Sequence, residues 1–179
     1  NSPEILGLGR ADENALPVVP RHSPQTCNTA LWVDGLFWDK RIRVRTAQSG
    51  DTNIRTEERA VTRATNSADA KSLLMAQAHF PVTAAPEMGD PSGFESNQAY
   101  REFIASGLAA NWQPLFEKAF DTANIEFSQI AESIAAYEQR QQFIDNPFFD
   151  YLDGDTTKLT DNQKRGALFF YTNSGCSGC

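Results

Sequence analysis

From Tyr100 to Tyr137 apolar side chains recur at spacings of three and four, and this periodicity does most to restrict what the chain can fold into. Tyr100, Phe103, Ile104 and Leu108 start the pattern, and Leu115, Phe116, Ala119 and Phe120 continue it. Phe127, Ile130, Ile134 and Tyr137, with Ala131 and Ala135 beside them, make its clearest stripe. A helix turns once in about 3.6 residues, so each group falls on one face and predicts an amphipathic helix packed on a core along that face. Leu73, Leu74 and Ala78 before Pro81 carry the same code upstream. No strand-like alternation of useful length competes and no internal repeat is visible, so the expected class is mainly α.

Around that helical centre the punctuation changes. Residues 1–24 hold Gly7, Gly9, Pro17, Pro20 and Pro24 and read as an extended lead-in. Between Leu31 and Trp38 the apolar residues are dense, with Asp34-Gly35 as a turn, which predicts a compact aromatic knot. Over about 41–69 six arginines (Arg41, Arg43, Arg45, Arg55, Arg59 and Arg63) lie among Thr, Ser, Asn and Gly, the pattern of a surface insertion. Pro147 and Asp153-Gly154 break the helical code, and the expected domains are 1–145 and 146–179. Thr160 and Gln163 then form a capping box, so a helix should start there, run through Leu168 and Phe169, and deliver the chain to Cys176.

Composition closes off several classes. With 40% hydrophobic residues in 179, the chain has enough apolar material for a core. Sixteen basic against 23 acidic residues give a net charge of −7, which argues against a nucleic-acid partner, because phosphate binding needs clustered positive charge. No apolar run is long enough for a membrane span, and Asn1 does not open a targeting pattern, so an export signal would precede it. Three cysteines are too few for a disulfide scaffold, and Cys27 is expected as a small buried side chain.

The other two, Cys176 and Cys179, stand three apart in Gly175-Cys176-Ser177-Gly178-Cys179. Two thiols at this spacing can form thioethers to the two vinyl groups of one porphyrin when a histidine follows. The same pair also suits a redox dithiol, half of a zinc site, or two incidental cysteines. A redox dithiol expects a strand before it and a parallel sheet around it, and a zinc site needs four ligands, for which only Cys27, His22 and His79 remain. The residues alone leave these readings open.

Several segments, in order along the chain, resemble the bacterial di-haem cytochrome c peroxidase and MauG-type family. Arg21-His22-Ser23-Pro24 followed by Asn28 resembles its Arg-Asn-(Ser/Thr)-Pro...Asn segment, and Leu36-Phe37-Trp38-Asp39-Lys40-Arg41 resembles its Phe-Trp-Asp-Gly-Arg. Ala76-Gln77-Ala78 and Pro86-Glu87-Met88-Gly89 are similar to its Gln-Ala...Glu-Met-Gly, and Ile125-Glu126-Phe127 into Ile134-Ala135-Ala136-Tyr137-Glu138 to the helix that follows. Asn146-Pro147-Phe148-Phe149-Asp150 and Gly166-Ala167-Leu168-Phe169 resemble the approach to the second haem.

The resemblance implies two cytochrome c-like helical haem domains, the first incomplete at its start and the second truncated. One haem c attachment would lie at or before Asn1 and the second at Cys176 and Cys179. It implies a periplasmic enzyme that reduces hydrogen peroxide with electrons from a protein donor; Ala78 to Thr83 and the long insertion are similar to the MauG-related branch, which oxidises other proteins. Glu87 would be the distal carboxylate that moves a proton between the peroxide oxygens, Gln77 its amide neighbour, and Trp38 the ring between the haems. His22 replaces the family's calcium-binding asparagine, which puts calcium in doubt because imidazole nitrogen serves a hard cation poorly. The stretch that holds an iron-capping histidine in classical members has Asn14 and no histidine. Two other classes fit the same chain: a c-type cytochrome without peroxide chemistry, and an unrelated helical interaction protein.

Overall fold

The computed structural model describes residues 22–46, 52–68, 71–172 and 174–178. Asn14, Cys179 and most of the lead-in lie outside them. The chain divides into two compact units, Asn1–Gln142 and Phe143–Cys179. Among the described residues no helix is long and apolar enough to cross a membrane.

The first unit carries a small antiparallel sheet of β1 (Gly35–Leu36), β2 (Ile42–Thr46) and β3 (Thr52–Arg55), and four helices, α1 (Arg59–Ser67), α2 (Leu73–Gln77), α3 (Asn97–Phe120) and α4 (Phe127–Gln139). The mainly helical class holds, but the sheet was not expected. Its source is the alternation Ile42-Arg43-Val44-Arg45, which puts Ile42 at 0% exposure and both arginines in solvent. Two of the six arginines that suggest a surface insertion, Arg43 and Arg45, are the outer face of β2, and Arg59 and Arg63 lie on α1. Ile54 on β3 and Val61 and Thr65 on α1 are also buried, so this segment belongs to the core. Asn66 of α1 completes the sheet edge: its amide donates to the Ile54 carbonyl at 2.7 Å and accepts from the Ile54 N–H at 2.9 Å.

Helix α2 is short but is buried at Leu73, Leu74, Met75 and Ala76 in succession, as befits the centre of the unit. Ser72 caps it, accepting from the Met75 N–H at 3.1 Å. α4 packs on α2 through Phe127, Ala131 and Ala135, while Ile134 and Tyr137 stay exposed. The buried stripe is thus rotated from the bulky residues towards the alanines, whose small side chains let two helix backbones approach. The aromatic knot does not form either. Trp32 and Trp38 are 59% and 76% exposed, and the turn falls at Phe37–Lys40, both with positive φ, instead of at Gly35. Gly35 pairs with Arg43 so closely that a Cβ there would sit 2.6 Å from the Ile42 carbonyl oxygen. Cys27 is exposed, against expectation.

In the second unit Pro147 begins a helix instead of only breaking one: α5 (Pro147–Leu152) takes proline at its first position, with the Asn146 side chain accepting from the Phe148 and Phe149 amides. The capping box forms as expected. Gln163 N–H donates to the Thr160 hydroxyl at 3.3 Å and Thr160 N–H to the Gln163 side chain at 2.8 Å, opening α6 (Asp161–Tyr171).

Candidate active site

In the first unit the residues of interest sit on one continuous stretch and one neighbouring turn. Gln77 is the last residue of α2 and is half-buried. The chain then runs through buried His79 and Phe80 into a 3-10 turn, Pro81–Thr83, and folds back on itself. Glu87 N–H donates to the Ala84 carbonyl at 2.8 Å, and Met88 N–H to the Pro81 carbonyl at 3.2 Å. The result is a compact loop with the Glu87 side chain exposed at its tip and Met88 beside it at 68% exposure. Among the described residues, no hydrogen bond joins the Gln77 amide to the Glu87 carboxylate. Trp38 lies on the turn after β1, and its neighbour Phe37 meets Phe80 edge-on with ring centroids 6.4 Å apart. That contact ties the Trp38 turn to the Gln77–Glu87 stretch.

The loop is held by a buried polar assembly that the sequence reading did not single out. Arg101 of α3 has 0% exposure. Its Nε donates to the His79 carbonyl at 2.9 Å, its two Nη atoms to both oxygens of Glu58 at 2.9 and 3.1 Å, and Nη2 also to the Thr83 hydroxyl at 3.2 Å. Asn97 adds a further bond to Glu58 at 3.0 Å. Burial alone would raise the Glu58 carboxyl, but the bonds from Arg101 and Asn97 and the guanidinium charge outweigh it and leave it below the usual range. His79 Nδ1 is 2.8 Å from the Met75 carbonyl oxygen. Burial pushes its imidazole down to about 4, so the ring is neutral at physiological pH. The available signal was a single arginine four residues before Ala105, on the stripe that α3 buries. A lone charge on a buried face demands a partner.

In the second unit α6 ends at Tyr171 and the chain turns through Gly175, at φ 72°, into a 3-10 turn at Cys176–Gly178. The Cys176 thiol is free and exposed. The turn is built by short polar bonds: Cys176 N–H donates to the Ser174 hydroxyl at 3.2 Å, and the Ser177 hydroxyl donates to the Tyr171 carbonyl at 3.2 Å. Leu159 is the one buried apolar side chain among the described residues of this unit, whereas Phe149, Leu152, Leu168, Phe169, Phe170 and Tyr171 are all at least 43% exposed. A free thiol beside such a surface suits a covalently attached, flat, apolar group that would cover it.

Comparison with known proteins decides the family. The profile of the di-haem cytochrome c peroxidases matches residues 7–157. The chain belongs to the di-haem cytochrome c peroxidase family. A relative, the cytochrome c551 peroxidase of Pseudomonas aeruginosa, is 39% identical over 75 residues, which make up 41% of this chain and 21% of the relative. The chain therefore spans only a fraction of the length of that relative. Family membership makes haem c the expected cofactor, and the exposed Cys176 thiol, five residues after the exposed apolar end of α6, fits it. His22 is exposed.

Proposed function

We propose that the protein to which this chain belongs is a periplasmic peroxidase with two covalently bound haems, reducing hydrogen peroxide with electrons drawn from another protein. Each peroxide takes up two electrons and two protons and leaves as two waters. The electron source is a redox carrier or, as the likeness to the MauG branch implies, a protein that is itself oxidised. Cys176 and Cys179 would hold one haem through thioethers. When bound, haem supplies the redox chemistry, and the chain supplies orientation and protons.

The observation that carries this reading is the placement of Glu87. Its side chain is exposed at the tip of a loop whose stem is anchored by buried groups, so the carboxylate is reachable and the backbone that carries it is held. A carboxylate so placed takes the proton from the near oxygen of peroxide and returns it to the far one, which then departs as water. Gln77, a neutral amide at the root of the same stretch, donates a hydrogen bond to the bound peroxide and stays uncharged throughout. Trp38 offers a large polarisable ring for passing electrons between the haems.

Glu87→Gln keeps the shape and removes the proton carrier. At equal haem content, peroxide-driven oxidation of the haem followed by rapid mixing should slow by about 10² to 10⁴, the usual contribution of a positioned acid-base group. Equal rates in the two proteins would remove Glu87 from the chemistry and leave an electron-transfer cytochrome as the better reading.

A further inference from the structure

We infer that Arg101, clamped by Glu58, is the positioning residue for Glu87, and that the 41–69 segment thereby sets the geometry of the site. This rests on the reading of Glu87 as the proton carrier. Two consecutive residues of α3 hold the two ends of the Glu87 loop. Tyr100 closes one end: Gly89 is buried against it so tightly that a Cβ would lie 2.6 Å from the Tyr100 hydroxyl, and the Val82 carbonyl crowds the same point. Arg101 closes the other by donating to the His79 carbonyl at 2.9 Å and the Thr83 hydroxyl at 3.2 Å.

Arg101 is fully buried, so its own direction must be dictated by a counter-charge. That counter-charge comes from the segment read as an insertion. Glu58, the residue before α1, accepts from both Nη atoms in a bidentate fork, a geometry that fixes the plane of the guanidinium as well as its position. Asn97 at the start of α3 holds the carboxylate from the other side. The chain of contacts therefore runs from Glu58 through Arg101 to the His79 carbonyl and Thr83, and from there through the turn hydrogen bonds to Glu87 and Met88. Releasing the fork frees Arg101 to rotate and lets the loop relax. General acid-base transfer is sensitive to such movement, since a misplacement of about 1 Å can cost on the order of 100-fold in rate.

The test is a double-mutant cycle in the full-length di-haem protein, combining Glu58→Gln with Glu87→Gln. Glu58→Gln alone should lower kcat for peroxide about tenfold, with haem content unchanged. In the Glu87→Gln background the same change should do nothing further, because there is no proton carrier left to misplace. A merely structural pair would instead lower activity by the same factor in both backgrounds, and that result, or full activity of Glu58→Gln, overturns the inference. A second readout is independent of turnover: the Glu87 and Met88 amides should exchange with solvent faster in Glu58→Gln, and unchanged protection also overturns it. Should Glu58→Gln fail to fold, Thr83→Val removes one loop contact without unpairing Arg101, and is expected to lower kcat about threefold in the same cycle. The proposed role of Glu87 fails separately, through unchanged turnover of Glu87→Gln by itself.

Discussion

The two units meet the need for a core in opposite ways. In the first, Ile42, Ile54, Val61, the Leu73–Ala76 run, Phe116, Phe127, Ala131 and Ala135 form one continuous buried cluster drawn from the sheet and all four helices. In the second, Leu159 alone is buried among the described residues, and α6 turns Leu168, Phe169, Phe170 and Tyr171 outward. Size is one part of the difference, since a segment of about 40 residues seldom supplies a core without a metal, a disulfide or a partner. The other part is design. The last turn of α6 leaves four large apolar side chains exposed, and a free thiol follows five residues after Tyr171, an arrangement that suits the covalently bound haem proposed above. The first unit buries polar groups around the Glu87 loop; the second leaves apolar surface uncovered beside its free thiol.

Ile42→Ala probes the first half of that contrast. If the 41–69 segment belongs to the core, the mutation opens a cavity at a site with no exposure and should cost about 2–5 kcal/mol in denaturant unfolding. A cost near that of a surface substitution, within about 0.5 kcal/mol, would return the segment to the status of an appendage and break the comparison.

A smaller effect, read through pH, sharpens the account of the buried polar groups. His79 binds its proton less readily when folded, at about 4 against 6.5 for the free side chain. Its neutral form therefore contributes stability that is complete above pH 6.5, declines as pH falls towards 4, and totals on the order of 3 kcal/mol. Glu58, also lowered on folding, contributes stability in the same direction, lost as pH drops below the ordinary carboxylate value of 4.5. Melting of the wild type should therefore weaken between pH 6.5 and 4, and His79→Gln should flatten the upper part of that slope. An unchanged slope in the variant would mean that the imidazole is not held neutral by burial.

What was legible in the sequence followed from local physics. The Thr160 and Gln163 box opens α6 because its two hydrogen bonds need only residues three apart, and the periodicity from Tyr100 onward forms helices because spacing alone dictates a face. What was missed depended on partners far along the chain. Ile42 and Val44 count as a strand only once β3 pairs with β2 through Val44 and Ile54, and the arginines that flank and separate them masked the alternation. In α4 the choice between the bulky residues and the alanines depended on how closely α2 approaches. Arg101 stands on the stripe that α3 buries, but its partner Glu58 lies 43 residues away, beyond the reach of local pattern. In the candidate site, Gln77, Glu87 and Trp38 were visible only through resemblance. Nothing in their local sequence separates a loop held by α3 from an ordinary exposed one.

If a covalently bound haem completes the second unit while the first unit stands without that group, hydrogen exchange of the mature protein against its Cys176→Ala, Cys179→Ala variant will separate the two. The amides of α6 should lose most of their protection in the variant while those of α2 and α4 keep theirs. Equal protection of α6 in both proteins, with both thiols free in a protein matured in a haem-attaching host, would contradict that expectation.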